Sequence, residues 1–409
     1  MRIVCSRSHA QDACRQRISL RQDSSVSDGT VPTQTFNRCC FRRHMGLSLV
    51  SIGIAFAVGA PRIATASQPA VVSEALRPLT TVTVERPEDL QQIPGSAWVL
   101  VSSMASPTGN AGGLYAVDSR RPGQAVKLFP LDAPIEPVHL TAHGCPAPYA
   151  DAFAPHGLHV QRRADGSLQA LVVNHGGRES IEVFELSFAD GKPLMHWKSC
   201  VILPPDGWAN GVAALAGDDF VISSMFDPRQ PYVRQFVRGE PTGYVMRWSP
   251  STGWRKASPV ALSGANGIEV SSDFHWLYVS EWARRRLWRL PLDSHAKPSF
   301  VTVDFLPDNL RWTPDGKLLL TGQVAAPEVV FGCVQSKNPC PAHFKIELVQ
   351  PATLAQSVLL DGGDSHFGLG TGAIKIEHTL WIGSAIGHYV SRYALPSTEA
   401  RVASEGVKH

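Results

Sequence analysis

Apolar positions in this chain come in short runs, with no helical stripe longer than a few turns. Around His175, the runs LVV and IEVFEL flank a loop with that histidine at its mouth, which reads as strand, loop, strand. The form recurs. Units of this kind begin at Trp98, Ala170, Phe220, Trp276, Leu318 and Leu380. Each has an apolar strand, a loop, and a second strand rich in aromatic and branched residues. In the units starting at Phe220 and Leu318 the intervening loop is long. Repetition on a period of roughly 40–50 residues predicts four-stranded blades around a channel, so the chain reads as all-β, a six-bladed β-propeller. A sandwich would not demand such even spacing. TVTVE, near Thr81, reads as a strand that closes the ring between the chain ends.

The segment before each unit adds chemistry. EDLQQIPGSAWVLV, HGLHVQRRADGSLQALVV, NGVAALAGDDFVIS, NGIEVSSDFHWLYVS, DNLRWTPDGKLLL and TGAIKIEHTLWIG share one plan: a polar residue often followed by a glycine, a short apolar strand, a turn, then the next strand. Alone, Asn210-Gly211 and Asn266-Gly267 would read as hairpin turns. The register instead puts the turns later, as at Asp315-Gly316. The leading residues Glu88, His156, Asn210, Asn266, Asp308 and Thr371 then sit at one end of six channel-lining strands. Behind them come Asp89, Gly157, Gly211, Gly267, Asn309 and Gly372, the glycines suiting a crowded axis. Glu88, Asn210, Asn266, Asp308 and Asn309 offer hard oxygen donors, which is the chemistry of Ca²⁺. Zinc would call for His and Cys, and magnesium for fewer protein ligands. A polar network that merely plugs the channel is the bland alternative. It accounts for polarity but not for a donor set that is almost purely oxygen.

The first 66 residues differ in composition. Arg42 and Arg43 precede LSLVSIGIAFAVGA, and Ala64-Thr65-Ala66 has the form of a cleavage site. This predicts an export signal, too short for a transmembrane anchor, and a periplasmic or secreted product. Translation from a start downstream of Met1 and twin-arginine export are both open. The expected organisation is a leader over 1–66, a linker over 67–83, the propeller over 84–395 and a tail over 396–409. The leader holds nine Arg, no Lys and three acids, a net of +6. The whole chain carries +3, so the remainder is about −3. The basic balance therefore belongs to the leader, and nothing argues for nucleic acid as a partner. Four cysteines remain beyond it, Cys145, Cys200, Cys333 and Cys340. An even count in an exported protein predicts disulfides, with Cys333–Cys340 closing a small loop and Cys145–Cys200 as the remainder; free buried thiols are the alternative.

PHGLHV followed by LVVNH, with nineteen positions from His156 to His175, resembles the serum paraoxonase/arylesterase family. The likeness continues through WANGVAAL, GANGIEVSSDFHWLYVSE, LPDNLRWTPDGKLLLTG and LWIGSAIGHYV, from about Val84 to Tyr393. Gluconolactonases and strictosidine synthase-like proteins form the wider group. The resemblance implies a calcium-dependent lactonase or arylesterase with a small-molecule substrate. By position, it gives the catalytic calcium to Glu88, Asn210, Asn266, Asp308 and Asn309. His156 and His175 match its histidine dyad, and Asp89 with the Leu158 carbonyl match ligands of a second, structural calcium. Gly211 stands where that second ion would have a third ligand, an Asp. The family's cysteine bridge between the chain ends has no counterpart near Tyr393, so closure is expected from strand pairing. The chain has no G-x-S-x-G elbow and no H-E-x-x-H, so no serine or zincin step is expected. Two other readings stay open: a non-catalytic, calcium-stabilised propeller that binds a ligand or partner, and a metal-free synthase, which would have no need of five oxygen donors. The loop Asp227–Gly243 mixes Phe226, Tyr232 and Phe236 nearby with Arg229, Arg234 and Arg238, which leaves the polarity of a pocket wall open.

Overall fold

The computed structural model describes residues 77–131, 145–293, 295–336, 340, 343–363 and 367–395. They belong to the second of two units, Gln68–His409. The expected leader with its cleavage site and the tail over 396–409 lie outside the described residues. Among the described residues no helix is long and apolar enough to cross a membrane.

The described strands form six antiparallel sheets. From the axis outward, blade 1 is Pro87–Gln92, Trp98–Ser103, Gly113–Asp118 and Ala125–Phe129; blade 2 is Pro155–Arg162, Leu168–Asn174, Ser180–Ala189 and Lys192–Ile202. Blade 3 is Ala209–Ala214, Phe220–Ser224, Tyr244–Ser249 and Gly253–Lys256; blade 4 is Ala265–Val270, Trp276–Glu281, Arg286–Pro291 and Ser299–Thr302. Blade 5 is Leu306–Trp312, Leu318–Val324, His343–Val349 and Gln356–Gly362. Blade 6 is Gly370–Ile376, Thr379–Ser384 and Tyr389–Ala394, completed by Arg77–Pro78 and Val82–Thr83 from the other end of the chain. Each innermost strand lies against the next, and the last, Gly370–Ile376, returns to Pro87–Gln92. The fold is an all-β six-bladed propeller. Val82 opposite Val390 and Arg77 opposite Ala394 close it by strand pairing.

The core lies between blades, and the period of two along each strand sends alternate residues to alternate neighbours. In Leu168–Asn174, Ala170 and Val172 pack with Leu100 and Leu114 of blade 1. Leu171 and Val173 pack with Val212, Phe220 and Ile222 of blade 3. Burying each such Leu, Ile or Val stabilises the fold by about 1.5–3 kcal/mol, so every blade is held by both neighbours.

One irregularity repeats in all six inner strands. Three steps on the inner strand oppose two on its partner: Pro155 to Leu158 against Asn174 to Val172, Ala209 to Val212 against Ser224 to Ile222, and Ala265 to Ile268 against Glu281 to Val279. Blades 5 and 6 do the same at Pro307/Leu310 and Gly370/Ala373, and blade 1 slips by one at Pro87/Asp89. These are β-bulges, which re-aim a side chain out of the ladder. The inserted positions carry the polar residues that lead each segment. The glycines that follow are needed there: a Cβ on Gly157 would stand 2.3 Å from Asn210 O, and one on Gly267 2.4 Å from Asp308 O. Asn210-Gly211 and Asn266-Gly267 are thus strand bulges and not turns.

Two short helices depart from the pure strand-and-loop expectation. Helix α1 is Tyr232–Val237, in the long loop of blade 3, and helix α2 is Pro327–Gln335, in that of blade 5. At six and nine residues they are too short to show a period. Disulfides join Cys145 to Cys200 and Cys333 to Cys340, with Cα atoms 6.1 and 5.5 Å apart. The first fastens the chain entering blade 2 to that blade's outermost strand. The second ties the end of α2 to the chain just beyond it.

Glu347, in the third strand of blade 5, is buried with Oε2 lacking any hydrogen-bond partner among the described residues. Burial, with repulsion from Asp304 added and Lys345 offsetting part, pushes its carboxyl up to about 7. The folded state therefore keeps a proton that the unfolded chain releases near its ordinary value of 4.5. The associated stability is present below that value and is lost as pH rises towards 7. Glu347→Gln is expected to raise the melting temperature by roughly 2–5 °C at pH 8 and by much less at pH 5. An equal shift at both pH values in paired thermal melts would refute the assignment.

Candidate metal and substrate site

The six bulges converge on one end of the channel. There Glu88, His156, Asn210, Asn266, Asp308 and Thr371 line a single cavity of about 320 Å³ together with Gln323. Asn309 lies behind Glu88 and donates from Nδ2 to Glu88 Oε1 at 2.7 Å. Thr371 Oγ1 donates to the Glu88 carbonyl at 2.6 Å. Gln323, at the end of the second strand of blade 5, donates from Nε2 to Asp308 Oδ2 at 2.6 Å, while its Oε1 accepts from Trp282 Nε1 at 2.9 Å. Asn210 Nδ2 lies 3.2 Å from His156 Nε2.

These bonds use the amide nitrogens and one oxygen of each carboxylate. The other oxygens stay bare: Glu88 Oε2, Asn210 Oδ1, Asn266 Oδ1 and Asp308 Oδ1 are buried without a hydrogen-bond partner among the described residues. Four inward acceptors with no donor make a poor polar plug and a fitting cradle for a hard cation, which takes about six to eight oxygens at about 2.3–2.6 Å. Among the described residues no group of three or more His, Cys, Asp or Glu stands in a metal-holding arrangement. The chemistry of this cluster differs, since only two of its donors are carboxylates and amides supply the rest. Burial drives the carboxyls towards their neutral forms: Glu88 rises well above the usual range through burial and the charges of Asp89 and Asp308, and Asp308 is pushed up to about 7, chiefly by burial. A bound cation would reverse that tendency.

His156 Nε2 sits at the floor of the cavity, 3.7 Å from Glu88 Oε1. Burial, reinforced by His175 and Arg86, holds its pKa well below 6.5, so the ring is neutral. His175 lies behind it, the ring centroids 5.1 Å apart at 75°. His175 Nδ1 bonds Glu179 Oε2 at 2.7 Å, and its ring stacks on Trp208 at 3.9 Å and 6°. These partners assign the tautomers. Glu179 accepts a hydrogen bond from Nδ1–H of His175, which leaves Nε2 without a proton; Asn210 donates to Nε2 of His156, which puts that ring's proton on Nδ1. The unpartnered nitrogens, His156 Nδ1 and His175 Nε2, are then a donor and an acceptor on adjoining rings.

Above this polar floor the wall is apolar. Trp208, Phe226 and Tyr232 stack in series at 4.6 and 3.9 Å, and Val330, Phe331 and Val334 of α2 face them across the cavity. The arginines of the blade 3 loop do not line it. Arg229 pairs with Asp227 and Arg238 with Glu240, both exposed, and Arg234 is exposed.

Asp89 and Leu158 go elsewhere. Asp89 accepts the Leu158 amide at Oδ2 at 2.9 Å, and both Asp89 Oδ2 and the Leu158 carbonyl accept from Arg311 Nη2. They do not contribute to the cavity floor. The sequence reading did not single out Arg311, Glu179, Trp208 or Gln323. Trp208 precedes the quoted ANG segment and Gln323 ends LLLTGQ, so adjacency was the available signal. Nothing local marks Arg311, whose partners lie on other blades.

The chain is thus a six-bladed propeller with an oxygen-lined hub and a histidine pair beside it. The chain belongs to the arylesterase family, whose model matches residues 85–351. It is 25% identical over 240 residues to serum paraoxonase/arylesterase 1 of Homo sapiens, covering 56% of this chain and 63% of that protein. It is 27% identical over 262 residues to protein STRICTOSIDINE SYNTHASE-LIKE 4 of Arabidopsis thaliana, covering 61% of this chain and 67% of that one. The chain thus spans a little under two thirds of the length of the human relative. Among solved structures it is similar to a streptogramin B lyase, with TM-score 0.42 and 10% identity over 80% of this chain and 96% of the other. It is also similar to a regucalcin from Agrobacterium tumefaciens, with TM-score 0.41 and 13% identity over 77% and 95%.

Proposed function

We propose that this protein is an exported, calcium-dependent hydrolase of lactones or aryl esters. The observation that carries the reading is the set of four bare, buried oxygens beside a neutral histidine under an apolar wall. Glu88, Asn210, Asn266, Asp308 and Asn309 would hold the ion. When bound, calcium supplies Lewis-acid polarisation of a carbonyl and charge for the oxyanion.

The chain's own groups do the rest. His156 accepts a proton from water at Nε2 once that water takes the place of the Asn210 N–H at its lone pair, so that hydroxide can add to the carbonyl. Glu88, 3.7 Å from that nitrogen, stabilises the imidazolium as it forms. His156 Nδ1–H then turns to His175 Nε2, and Glu179 keeps His175 in the tautomer that can accept it. Trp208 fixes the plane of the His175 ring. Phe226, Tyr232 and Phe331 exclude water and favour an uncharged substrate of modest size. No covalent intermediate on the protein is required: as the C–O bond breaks, the His156 imidazolium returns its proton to the leaving oxygen, and the products are an alcohol and a carboxylic acid that loses its proton to solvent. Export is supported by the two disulfides, which persist in oxidising compartments.

The purified chain is expected to hydrolyse members of a small lactone and aryl ester panel with calcium, to lose that activity on chelation, and to regain it on calcium addition. Asp308→Ala is expected to cut turnover by at least about 100-fold; unchanged turnover would sink the assignment. A calcium-dependent rise in melting temperature with no hydrolysis would instead mark a binding propeller.

Glu179→Gln tests the second histidine. The amide no longer anchors the Nδ1–H of His175 by charge, so kcat is expected to fall about 10-fold with KM within about twofold. A change in KM alone would assign Glu179 to the pocket wall and not to the histidine pair.

A further inference from the structure

The structure assigns to Arg311 the part of a fixed cation at the place where a second, structural metal ion would bind. Its guanidinium lies below the cavity floor, buried among the inner strands. All five N–H groups are used. Nε donates to the Leu90 carbonyl at 3.2 Å; Nη1 donates to Glu269 Oε1 at 3.0 Å and to the Leu310 carbonyl at 2.9 Å; Nη2 donates to Asp89 Oδ2 and to the Leu158 carbonyl. One side chain from blade 5 thereby joins backbone or carboxylate oxygens of blades 1, 2 and 4.

The two groups that the family resemblance gives to a second calcium, Asp89 Oδ2 and Leu158 O, are both taken by one nitrogen of this arginine. The third position, Gly211, has no side-chain oxygen to offer. A Cβ there would lie 3.1 Å from Ile268 Cγ2 and 3.2 Å from its amide nitrogen, so a side chain would need its neighbours to give by a few tenths of an ångström. A divalent ion at this place would meet a full positive charge within hydrogen-bond distance of two of its own ligands. The residues present therefore do not fit a second metal. They fit an organic cation that no chelator can remove, one that holds Asp89 in the strand position next to Glu88.

The test needs no catalytic activity. Calcium bound to the purified full chain would be counted by elemental analysis and by titration calorimetry, for the unaltered chain, Asp89→Asn and Asp308→Asn. The expected result is one ion per chain, still one in Asp89→Asn, and a loss in Asp308→Asn. Two ions per unaltered chain, with one lost in Asp89→Asn, would overturn the proposal. Thermal melts in chelator supply the second readout. Arg311→Met strands two buried carboxylates and is expected to lower the melting temperature by about 5–10 °C with no metal present. A melt unchanged in chelator would also overturn it. Should that variant not fold, Glu269→Gln keeps an acceptor for Nη1 and should melt between the unaltered chain and Asp89→Asn. A chain that binds no calcium at all would refute the proposed hydrolytic function, while the melts in chelator would still decide the role of Arg311.

Discussion

Oxygen atoms held bare inside a folded protein are the constraint on which this structure turns. Each buried, unsatisfied polar group costs about 1–3 kcal/mol, and four of them meet at the hub, two on carboxylates. Simple packing would eliminate such a cluster. The fold instead takes some trouble to create it. Six bulges aim one polar residue apiece at the same end of the channel, and amide N–H donors are spent so that particular oxygens remain open. Asn309 and Gln323 each occupy the second oxygen of a carboxylate, which fixes the direction of the first. Such an arrangement supports the proposal of a ligand that brings positive charge.

The hub separates into two layers with opposite solutions to one electrostatic problem. Glu88 and Asp89 are adjacent residues on one strand and point to different layers. Glu88 faces the cavity, keeps an oxygen free, and can exchange its counter-charge with solvent. Asp89 faces inward and pairs with Arg311, which it shares with Glu269. The same arginine lowers the cost of ionising Glu88, though burial and the neighbouring acids outweigh it. In the proposed reading, a fixed cation beneath an exchangeable one would let the upper site be loaded and emptied without loosening the inner strands.

Much of this was legible in the sequence, and the reason is periodicity. Strand–loop–strand units at even spacing can come from few architectures, and the leading residues aligned because each blade repeats the same bulge. Asn210-Gly211 and Asn266-Gly267 were placed on strands by that register, against the ordinary preference of Asn-Gly for turns. The bulge itself was not foreseen, since one inserted residue leaves no mark in a short apolar run. Helix α1 and α2 escaped because six to nine residues carry too few turns to display a period. The apolar character of the wall was also hidden. Aromatic and arginine side chains alternate along the blade 3 loop, and only the three-dimensional structure shows that the aromatics turn inward while Arg229 and Arg238 find acids at the surface.

Arg311 shows the limit of local reading most clearly. In LPDNLRWTPDGK it is a single arginine two positions after a proposed ligand, with no neighbour in sequence to suggest a partner. Its meaning comes from contacts 42, 153 and 222 residues away, with Glu269, Leu158 and Asp89. The resemblance to the family pointed to Gly211 as a missing ligand, which reads as a loss when taken alone. Set beside Arg311, it has a counterpart. One strand lacks an anionic side chain and another supplies a cationic one, and both reduce the need for a metal's charge in this layer. That fit is visible only when residues far apart in the chain are considered as neighbours in one buried layer.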